Sequence, residues 1–481
     1  MYKQTLPLLT PILSSWIKEL IKQPELLEAA IEEYGSPINI HNALPFRKNY
    51  KLYQKVFDEV GLDSLIFFAR KANKTRKLVC ESKNLGMGID TASYRELKEA
   101  LESGIDIKKL VVTAAVKEKK LIELAVKNNV LIILDNEDEC KLTQQVANEL
   151  NVHAQVGLRI SGFYYCGSKL YSRFGIDIDG VVNFINENFG NNKAFNSLSY
   201  RGLHFHLNGY STKQRGEACI QSLVLAIQLK RKGFETRFLD IGGGFLMNYL
   251  EDKNEWKVFK ATLQEAVKQK IPPITFQNDG LGYQIINQEL HGNLKTYPYY
   301  NERPKDIFLR EILNYKGENE KSVAELAKQL KIQFRMEPGR SMLDQVGITM
   351  AKVAFRKKDS QNNWLVGLEM NFTQMHSSSA DFLLDPIVLF KEPQYQKEKC
   401  EVFFTGAYCL ERDILLKRKI SLKQLPQIGD LVIFPNTAGY MMHFFESEAH
   451  LFDLAANVWL ETDGTTISRK LKNDCNRVVQ V

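Results

Sequence analysis

The sequence lacks the features that mark membrane-spanning, secreted and disulfide-stabilised proteins. No apolar run approaches the roughly 20 residues that a membrane-spanning helix needs. The N-terminus has no basic segment followed by a continuous apolar core, so we expect no secretory signal. The seven cysteines are scattered without Cys-x-x-Cys pairs or Cys/His ligand spacing. This pattern argues against a zinc site or a disulfide framework and predicts reduced thiols in a cytoplasmic protein.

The sequence also lacks a concentrated charge of either sign. Its net charge of +7 is spread along the chain, with lysine and glutamate interleaved in stretches such as 117–120. This pattern is typical of solvated helix faces and predicts neither a nucleic-acid partner nor a membrane partner. With 44% apolar and 25% charged residues, 481 residues suffice for one barrel and a smaller domain, or for two or three domains.

Short apolar segments alternate with amphipathic, lysine- and glutamate-rich segments over more than half of the chain. Buried parallel strands with intervening helices produce this alternation, as in a (β/α)8 (TIM) barrel or an open doubly wound sheet. The predicted strands are 65–70, 86–90, 110–114, 130–135, 154–160, 202–207, 236–241 and 332–337.

The position of the reactive residue types favours the barrel. They fall at or just after the carboxyl ends of the predicted strands, where loops build the active face of such barrels. These residues are Lys71, Asp90, Arg159, His206, Gly242 and Glu337.

Changes of pattern predict three parts. Residues 1–45 would form helices and a strand that joins a C-terminal β domain, and 46–344 would form the barrel. We interpret the irregular stretch at about 272–328 as an insertion. Three alternatives stay open for it: a lid, an interface element, or an addition without a function. Short strands and turns from 345 to 481 predict the β domain.

Lys71 follows the apolar strand at 65–69. A charged ammonium at the end of a buried strand is costly unless it is paired or neutral. The residue is therefore either a surface lysine at a strand end or an amine of low pKa that is able to form a Schiff base.

Two turns near the predicted strand ends offer anion ligands. Gly242, Gly243 and Gly244 form either a tight turn or a phosphate cradle, and no Walker A lysine follows them. Glu337 and Arg340 form either an internal ion pair or a carboxylate with a nearby phosphate ligand.

Two histidines and one cysteine allow more than one interpretation. His204 and His206 share one face of a strand, but no further ligand joins them at metal spacing, so we predict no metal. His206 is placed to stack on a planar ring, whereas His204 is typical of a core histidine. Cys409 by itself is more typical of an inert buried cysteine than of a catalytic one.

The order of these motifs resembles the fold-type III enzymes that depend on pyridoxal 5'-phosphate (PLP), the group of diaminopimelate and ornithine decarboxylases. The resemblance covers about 36–449. Its motifs lie at 69–73, 88–93, 159 with 172–175, 204–206, 242–245, 337–340, 409–413 and 438–440.

The resemblance implies PLP as cofactor, a barrel with a β domain, and a role for each matching residue. Lys71 would form the Schiff base, His206 would stack on the ring, and Glu337 would pair with the pyridine nitrogen. Other implied cofactor contacts are Asp90, Arg159, Gly242, Gly243, Gly244, Gly339, Arg340 and Tyr440.

The resemblance also implies a homodimer with shared active sites, in which Cys409 of the partner subunit protonates the product carbanion. A carboxylate such as Glu337 keeps the ring nitrogen protonated, which favours decarboxylation over racemisation. A PLP-dependent racemase or epimerase, and a non-catalytic regulatory homologue, remain alternatives.

The residues facing the substrate depart from the family pattern. Arg70 precedes the key lysine, where Val or Leu is usual, and Asn208 and Gly209 replace a Gly-Ser pair. Asp385 stands where diaminopimelate decarboxylases carry an arginine and would suit a distal amine or guanidinium. The predicted substrate contacts are Arg340, Asp385, Asp413 and Tyr440.

Overall fold

The computed structural model forms two compact units. Its described residues are 6–318, 320–377, 382–392, 398–463 and 466–474. The barrel unit is residues 47–246 with 303–342, and the sheet unit is residues 1–46 with 247–302 and 343–481. The predicted insertion at about 272–328 therefore covers parts of both units.

Eight parallel strands close into a barrel. The strand Leu198–His204 pairs with Ala154–Ser161 on one side and with Phe238–Asp240 on the other, which completes the ring. The prediction of a (β/α)8 barrel is confirmed, and the alternative prediction of an open doubly wound sheet is wrong. The barrel strands are Ser64–Ala69, Gly88–Thr91, Leu110–Val112, Leu131–Leu134, Ala154–Ser161, Leu198–His204, Phe238–Asp240 and Gln333–Met336.

Aromatic and branched side chains fill part of the barrel interior. Phe67, Val111, Ile133 and Phe238 form one buried cluster with partly buried leucines. Gly202 makes room for this cluster, because a Cβ there would lie 2.7 Å from Cδ1 of Phe238. Large side chains opposite small ones are how such interiors reach close packing.

Amphipathic helices connect the barrel strands, and several begin at a capping side chain. Ser93 accepts a hydrogen bond from the Glu96 amide, and Asn136 accepts one from the Glu139 amide. The helices in this part of the chain are Ala43–Val60, Arg76–Leu85, Tyr94–Glu102, Lys119–Lys127, Glu137–Glu149, Val181–Asn188, Thr212–Arg231, Lys305–Leu313 and Val323–Leu330.

The sheet unit combines both ends of the chain. Ile38–His41 pairs antiparallel with Gly347–Lys358 and parallel with Ala456–Asp463. The helices Ser15–Leu20 and Pro24–Tyr34 pack apolar side chains into the core of this sheet. Its other strands are Trp364–Leu368, Ile387–Leu389, Cys400–Thr405, Ile420–Leu422, Leu431–Pro435 and Thr466–Asn473.

Residues 247–302 also belong to the sheet unit. They contain the helix Lys253–Val267 and the hairpin Tyr283–Ile286 with Glu289–Gly292. The Phe276 amide donates a hydrogen bond to the Lys417 carbonyl at 2.7 Å. Among the described helices, none is both long enough and apolar enough to span a bilayer.

The barrel cluster provides a test of the core. Phe238→Ala should lower the free energy of unfolding by about 3–5 kcal/mol, because it leaves a cavity among buried side chains. The matched control is Tyr171→Ala, at an aromatic residue that is 89% exposed. Urea unfolding followed by circular dichroism measures both. Equal destabilisation by the two variants would contradict the assigned core.

Candidate active site

Lys71 lies where the first barrel strand ends. After Ser64–Ala69 the chain turns into the short 3-10 helix Arg70–Ala72. The adjacent strand brings Asp90 next to Ala69 in register, and Nζ of Lys71 lies 3.3 Å from Oδ2 of Asp90. The lysine side chain is 36% exposed, whereas that of Asp90 is fully buried. A partly open amine thus stands beside a buried carboxyl group.

Arg70 holds the turn that presents Lys71. Its guanidinium donates to the carbonyls of Asn73 at 2.7 Å and Thr75 at 2.9 Å, and to Oε2 of Glu99 at 2.8 Å. The side chain points into the protein, only 3% exposed. Arg70, which departs from the family pattern at this position, therefore stabilises the turn through buried hydrogen bonds.

The carboxyl group of Asp90 resists ionisation. Burial and the negative charge of Glu337 raise its pKa to about 7, against the opposing effects of Lys71 and of the Thr113 hydroxyl, which donates to it. Asp90 therefore exchanges a proton near neutral pH, within hydrogen-bond reach of the lysine amine.

His204 and Glu337 form a buried pair. Nε2 of the histidine lies 3.2 Å from Oε1 of the glutamate. Within the described residues, neither of these two atoms has a hydrogen-bond partner. Burial alone would raise the pKa of Glu337, but His204 and Lys71 outweigh it and lower that pKa to about 2. Glu337 is thus a buried anion with an oxygen available to a further donor.

Asp240 lies next to this pair. Each of the three side chains has an atom that could bind a metal ion, and these atoms lie within 4.8 Å of one another. Such a group suggests a metal centre. However, burial and the charge of Glu337 raise the pKa of Asp240 well above its usual range, which disfavours the ionised carboxylate that a metal would need. The absence of a metal stays our prediction.

His206 presents a neutral ring against the glycine loop. Burial lowers its pKa well below the usual range, and nearby Arg215 and Lys71 lower it further. Its Nδ1 accepts a hydrogen bond from the Gly243 amide at 3.1 Å. The proton of this neutral imidazole therefore resides on Nε2.

The loop 242–244 leaves no space for side chains. Gly242 and Gly244 adopt φ angles of 67° and 83°, which favour glycine. A Cβ on Gly243 would lie 2.6 Å from the Glu337 carbonyl oxygen. The Gly242 amide donates to Oδ1 of Asp240 at 2.9 Å, so the carboxyl group that precedes the loop also fixes its first turn.

Arginines surround this end of the barrel. Nη1 of Arg159 lies 3.8 Å from Oδ1 of Asp135, and its guanidinium lies 4.1 Å from the centre of the Phe174 ring. Arg340 and Gly339 lie in the turn after Glu337, and Arg340 is partly buried. The barrel unit therefore holds Lys71, Asp90, Arg159, His206, the glycine loop, Glu337, Gly339 and Arg340.

The other predicted residues lie in the sheet unit. Cys409 is exposed, in the loop that follows Cys400–Thr405. Asp413 is buried and accepts hydrogen bonds from the amides of Phe372 at 2.8 Å and Tyr408 at 2.7 Å. Its carboxylate therefore shapes the loop that carries the cysteine, and a substrate contact by Asp413 stays a prediction.

Asp385 already has protein partners. One carboxylate oxygen pairs with the buried guanidinium of Arg418, and the other accepts from the Leu9 amide at 2.9 Å. Tyr440 adopts a φ angle of 73° and packs edge-on against Phe444. The roles of Asp385 and Tyr440 toward a substrate or cofactor stay predictions.

Sequence reasoning missed Thr113 and Asp240. Thr113 directly follows the strand Leu110–Val112, and Asp240 ends the strand before the glycine loop. Position at a strand end was the available signal for both, the same signal that identified Asp90.

These residues fit PLP. The glycine loop suits a phosphate group, and Glu337 supplies an unpaired anionic oxygen for a protonated ring nitrogen. His206 offers a neutral ring, and Lys71 offers an amine near a group that titrates at neutral pH. A phosphorylated, planar heterocycle with an aldehyde matches this set of groups.

Comparisons with known proteins agree with this fit. Residues 45–286 match the family model of the pyridoxal-dependent decarboxylases, at its pyridoxal-binding domain. The chain is 27% identical to the uncharacterised protein y4yA of Sinorhizobium fredii, over 93% of both chains. It is 22% identical to diaminopimelate decarboxylase of Aquifex aeolicus, over 95% of this chain and 94% of the relative.

A solved structure shares the fold. The crystal structure of Helicobacter pylori diaminopimelate decarboxylase complexed with L-lysine superposes with a TM-score of 0.67 at 20% identity. The match covers 93% of this chain and 95% of that one. At this identity the likeness supports the barrel and sheet architecture.

The raised pKa of Asp90 predicts a pH-dependent stability. The unfolded chain ionises Asp90 near pH 4, whereas the folded chain keeps it protonated to about pH 7, so ionisation opposes folding as pH rises. Relative to wild type, cofactor-free Asp90→Asn should gain stability from about pH 4 to about pH 7, by at most about 1.4 kcal/mol per pH unit. Urea unfolding at several pH values measures the gain.

The control for this series is Asp138→Asn, which removes a carboxylate with a 95% exposed side chain. Its stability difference from wild type should stay nearly constant over the same pH range. A constant difference for Asp90→Asn as well would contradict the assigned ionisation of Asp90.

Proposed function

We propose that this chain, which belongs to the pyridoxal-dependent decarboxylase family, is a PLP-dependent carboxy-lyase that removes the α-carboxyl group of an amino acid. The observation that carries the proposal is Glu337. It is a buried carboxylate at a barrel strand end, its pKa is lowered to about 2, and Oε1 has no hydrogen-bond partner among the described residues.

When bound, PLP withdraws electrons from the substrate Cα and so stabilises the negative charge left there by the loss of CO2. Glu337 strengthens this effect, because an adjacent anion favours the protonated form of the ring nitrogen. The stronger withdrawal suits decarboxylation better than racemisation.

Lys71 is proposed to attach the cofactor covalently through Nζ, which requires the neutral amine. Asp90 lies 3.3 Å from that nitrogen and titrates near pH 7. It can therefore accept a proton from the ammonium group before the amine attacks and return that proton to Nζ when the amine leaves. The pair provides general acid–base chemistry at the amine.

The remaining barrel residues are proposed to orient the cofactor. His206, held by the Gly243 amide, supports one face of the ring. The glycine loop, Arg340 and Gly339 bind the phosphate, and Tyr440 adds a hydroxyl. Arg159 supplies a positive charge that acts on Glu337 and Asp90, in line with a supporting role.

Cys409 of the partner subunit is proposed to protonate the product carbon in a homodimer with shared sites. The thiol is exposed, and Asp413 fixes its loop through two backbone amides. An exposed thiol on a well-defined loop suits donation across a subunit boundary. The cytoplasmic location expected from the cysteine pattern stays a prediction.

The substrate is proposed to be an amino acid of the kind used by the named relatives. These relatives include diaminopimelate decarboxylase of Aquifex aeolicus and biosynthetic arginine decarboxylase of Bacteroides thetaiotaomicron, which is 24% identical over 55% of this chain. Arg418 pairs with Asp385, so this aspartate gives no added support to a basic substrate. A substrate screen that scores CO2 release against loss of optical activity separates a decarboxylase from a racemase.

Lys71 provides the first test of this function. The purified protein with PLP should absorb in the visible range, and Lys71→Ala should lose this band and CO2 release, because the attachment point is gone. Lys98→Ala, at an exposed helix lysine, is the control and should keep both. A Lys71→Ala variant that retains the band would refute the assignment.

Cys409 provides a second test. Cys409→Ala should lower kcat for CO2 release by about 100-fold or more, the usual value of a positioned proton donor. Cys80→Ala, at another exposed cysteine, should match wild type. Equal turnover by Cys409→Ala and wild type would contradict the role.

Mixing the Lys71→Ala and Cys409→Ala proteins tests the shared site. Random exchange of subunits should restore about a quarter of the wild-type activity, because half of the dimers regain one intact site of two. Failure to restore activity, despite demonstrated subunit exchange, would place both residues in the same subunit's site.

A further inference from the structure

Arg215 is a buried cation without an anionic partner. It lies in the first turn of the helix Thr212–Arg231, and the residue is 1% exposed. In the part of the chain that the structure describes, no carboxylate lies within ion-pair distance of its guanidinium. Burial of an unpaired charge is costly, so we expect a bound anion to compensate the charge of Arg215.

The guanidinium binds only backbone carbonyl groups. It donates to Gly243 at 2.8 Å, to Leu207 at 3.1 Å and to Gly209 at 3.2 Å. These carbonyls belong to the glycine loop and to the loop after His206. Arg215 thus joins two loops that meet beside the proposed phosphate site.

The same hydrogen bonds orient amide groups away from Arg215. In a trans peptide the C=O and N–H bonds point in opposite directions. The carbonyls of Leu207 and Gly243 share their peptide groups with the amides of Asn208 and Gly244. Neither of these two amides has an acceptor among the residues described here. Donation by a cation to the carbonyl polarises such an amide and strengthens it as a donor.

The loop is shaped to bring this cation close. A Cβ on Gly244 would lie 2.5 Å from Nη2 of Arg215. Glycine therefore permits a close approach between the loop backbone and the guanidinium. The charge also acts on His206, whose pKa it lowers, so Arg215 lies within electrostatic reach of the ring-stacking residue.

We propose that Arg215 is a positioning residue for the phosphate of PLP. It supplies the counter-charge from behind the two loops, through the peptide groups that carry the Asn208 and Gly244 amides. This assignment deepens the proposed function and rests on its cofactor site. It also accounts for the departure at Asn208 and Gly209, because polarised backbone amides replace the missing hydroxyl of a Gly-Ser pair.

The test compares two aldehydes that differ only in the phosphate. Cofactor-free protein is titrated with PLP and with pyridoxal, and both dissociation constants are read from absorbance. Arg215→Met and Arg215→Gln remove the charge, and Arg215→Lys keeps it. Arg418→Gln is the control, because it removes a buried arginine that donates to Leu383 and Pro7 rather than to the glycine loop.

The neutral Arg215 variants should lose about tenfold or more in affinity for PLP, because the amides proposed to bind the charged phosphate lose the cation that polarises them. Their affinity for pyridoxal should stay within about twofold of wild type. The lysine variant should keep its preference for PLP within about threefold of wild type, and the Arg418→Gln control should keep it as well.

Equal losses of PLP and pyridoxal affinity would mean that Arg215 only stabilises the two loops, and this result would overturn the proposal. If both neutral variants fail to fold, Arg215→Lys provides the test. Loss of the preference for PLP over pyridoxal in Arg215→Lys would overturn the proposal. A wild-type protein that prefers PLP but releases CO2 from no amino acid would overturn the proposed function and leave this inference intact.

Discussion

Buried charge at the carboxyl ends of the barrel strands is the constraint on which the rest of the site depends. Asp90, Asp240, His204 and Glu337 are all almost inaccessible to water. In such surroundings each ionisable group must be paired, hydrogen-bonded or neutral. The closed barrel makes this crowding possible, because it brings the ends of strands that are distant in sequence to one face.

The constraint divides the acids into two kinds. His204 and Lys71 lower the pKa of Glu337, whereas burial raises the pKa of Asp240 well above its usual range and that of Asp90 to about 7. The proposed chemistry requires one anion and one group with a pKa near neutral pH. The environments of the acids, rather than their residue types, determine which acid has which role.

The sequence predicted the barrel well because its signals are local. Apolar segments such as 65–69 mark strands buried on both faces, and reactive residues at their ends mark the active face. The pairings of Asp385 with Arg418 and of Asp413 with the Phe372 amide depend on contacts distant in sequence. No local pattern reveals such contacts. Similarly, residues 247–302 pack within the sheet unit through contacts with residues more than a hundred positions away in the sequence, such as Lys417 and Lys419.

The central claim is that Lys71 carries the cofactor. Reduction of the PLP-loaded protein with borohydride, followed by proteolysis and mass spectrometry, locates the attached pyridoxyl group directly. The account predicts one modified peptide, with the added mass on Lys71. A pyridoxyl group fixed specifically on another lysine, or none on a protein that binds PLP, would contradict it.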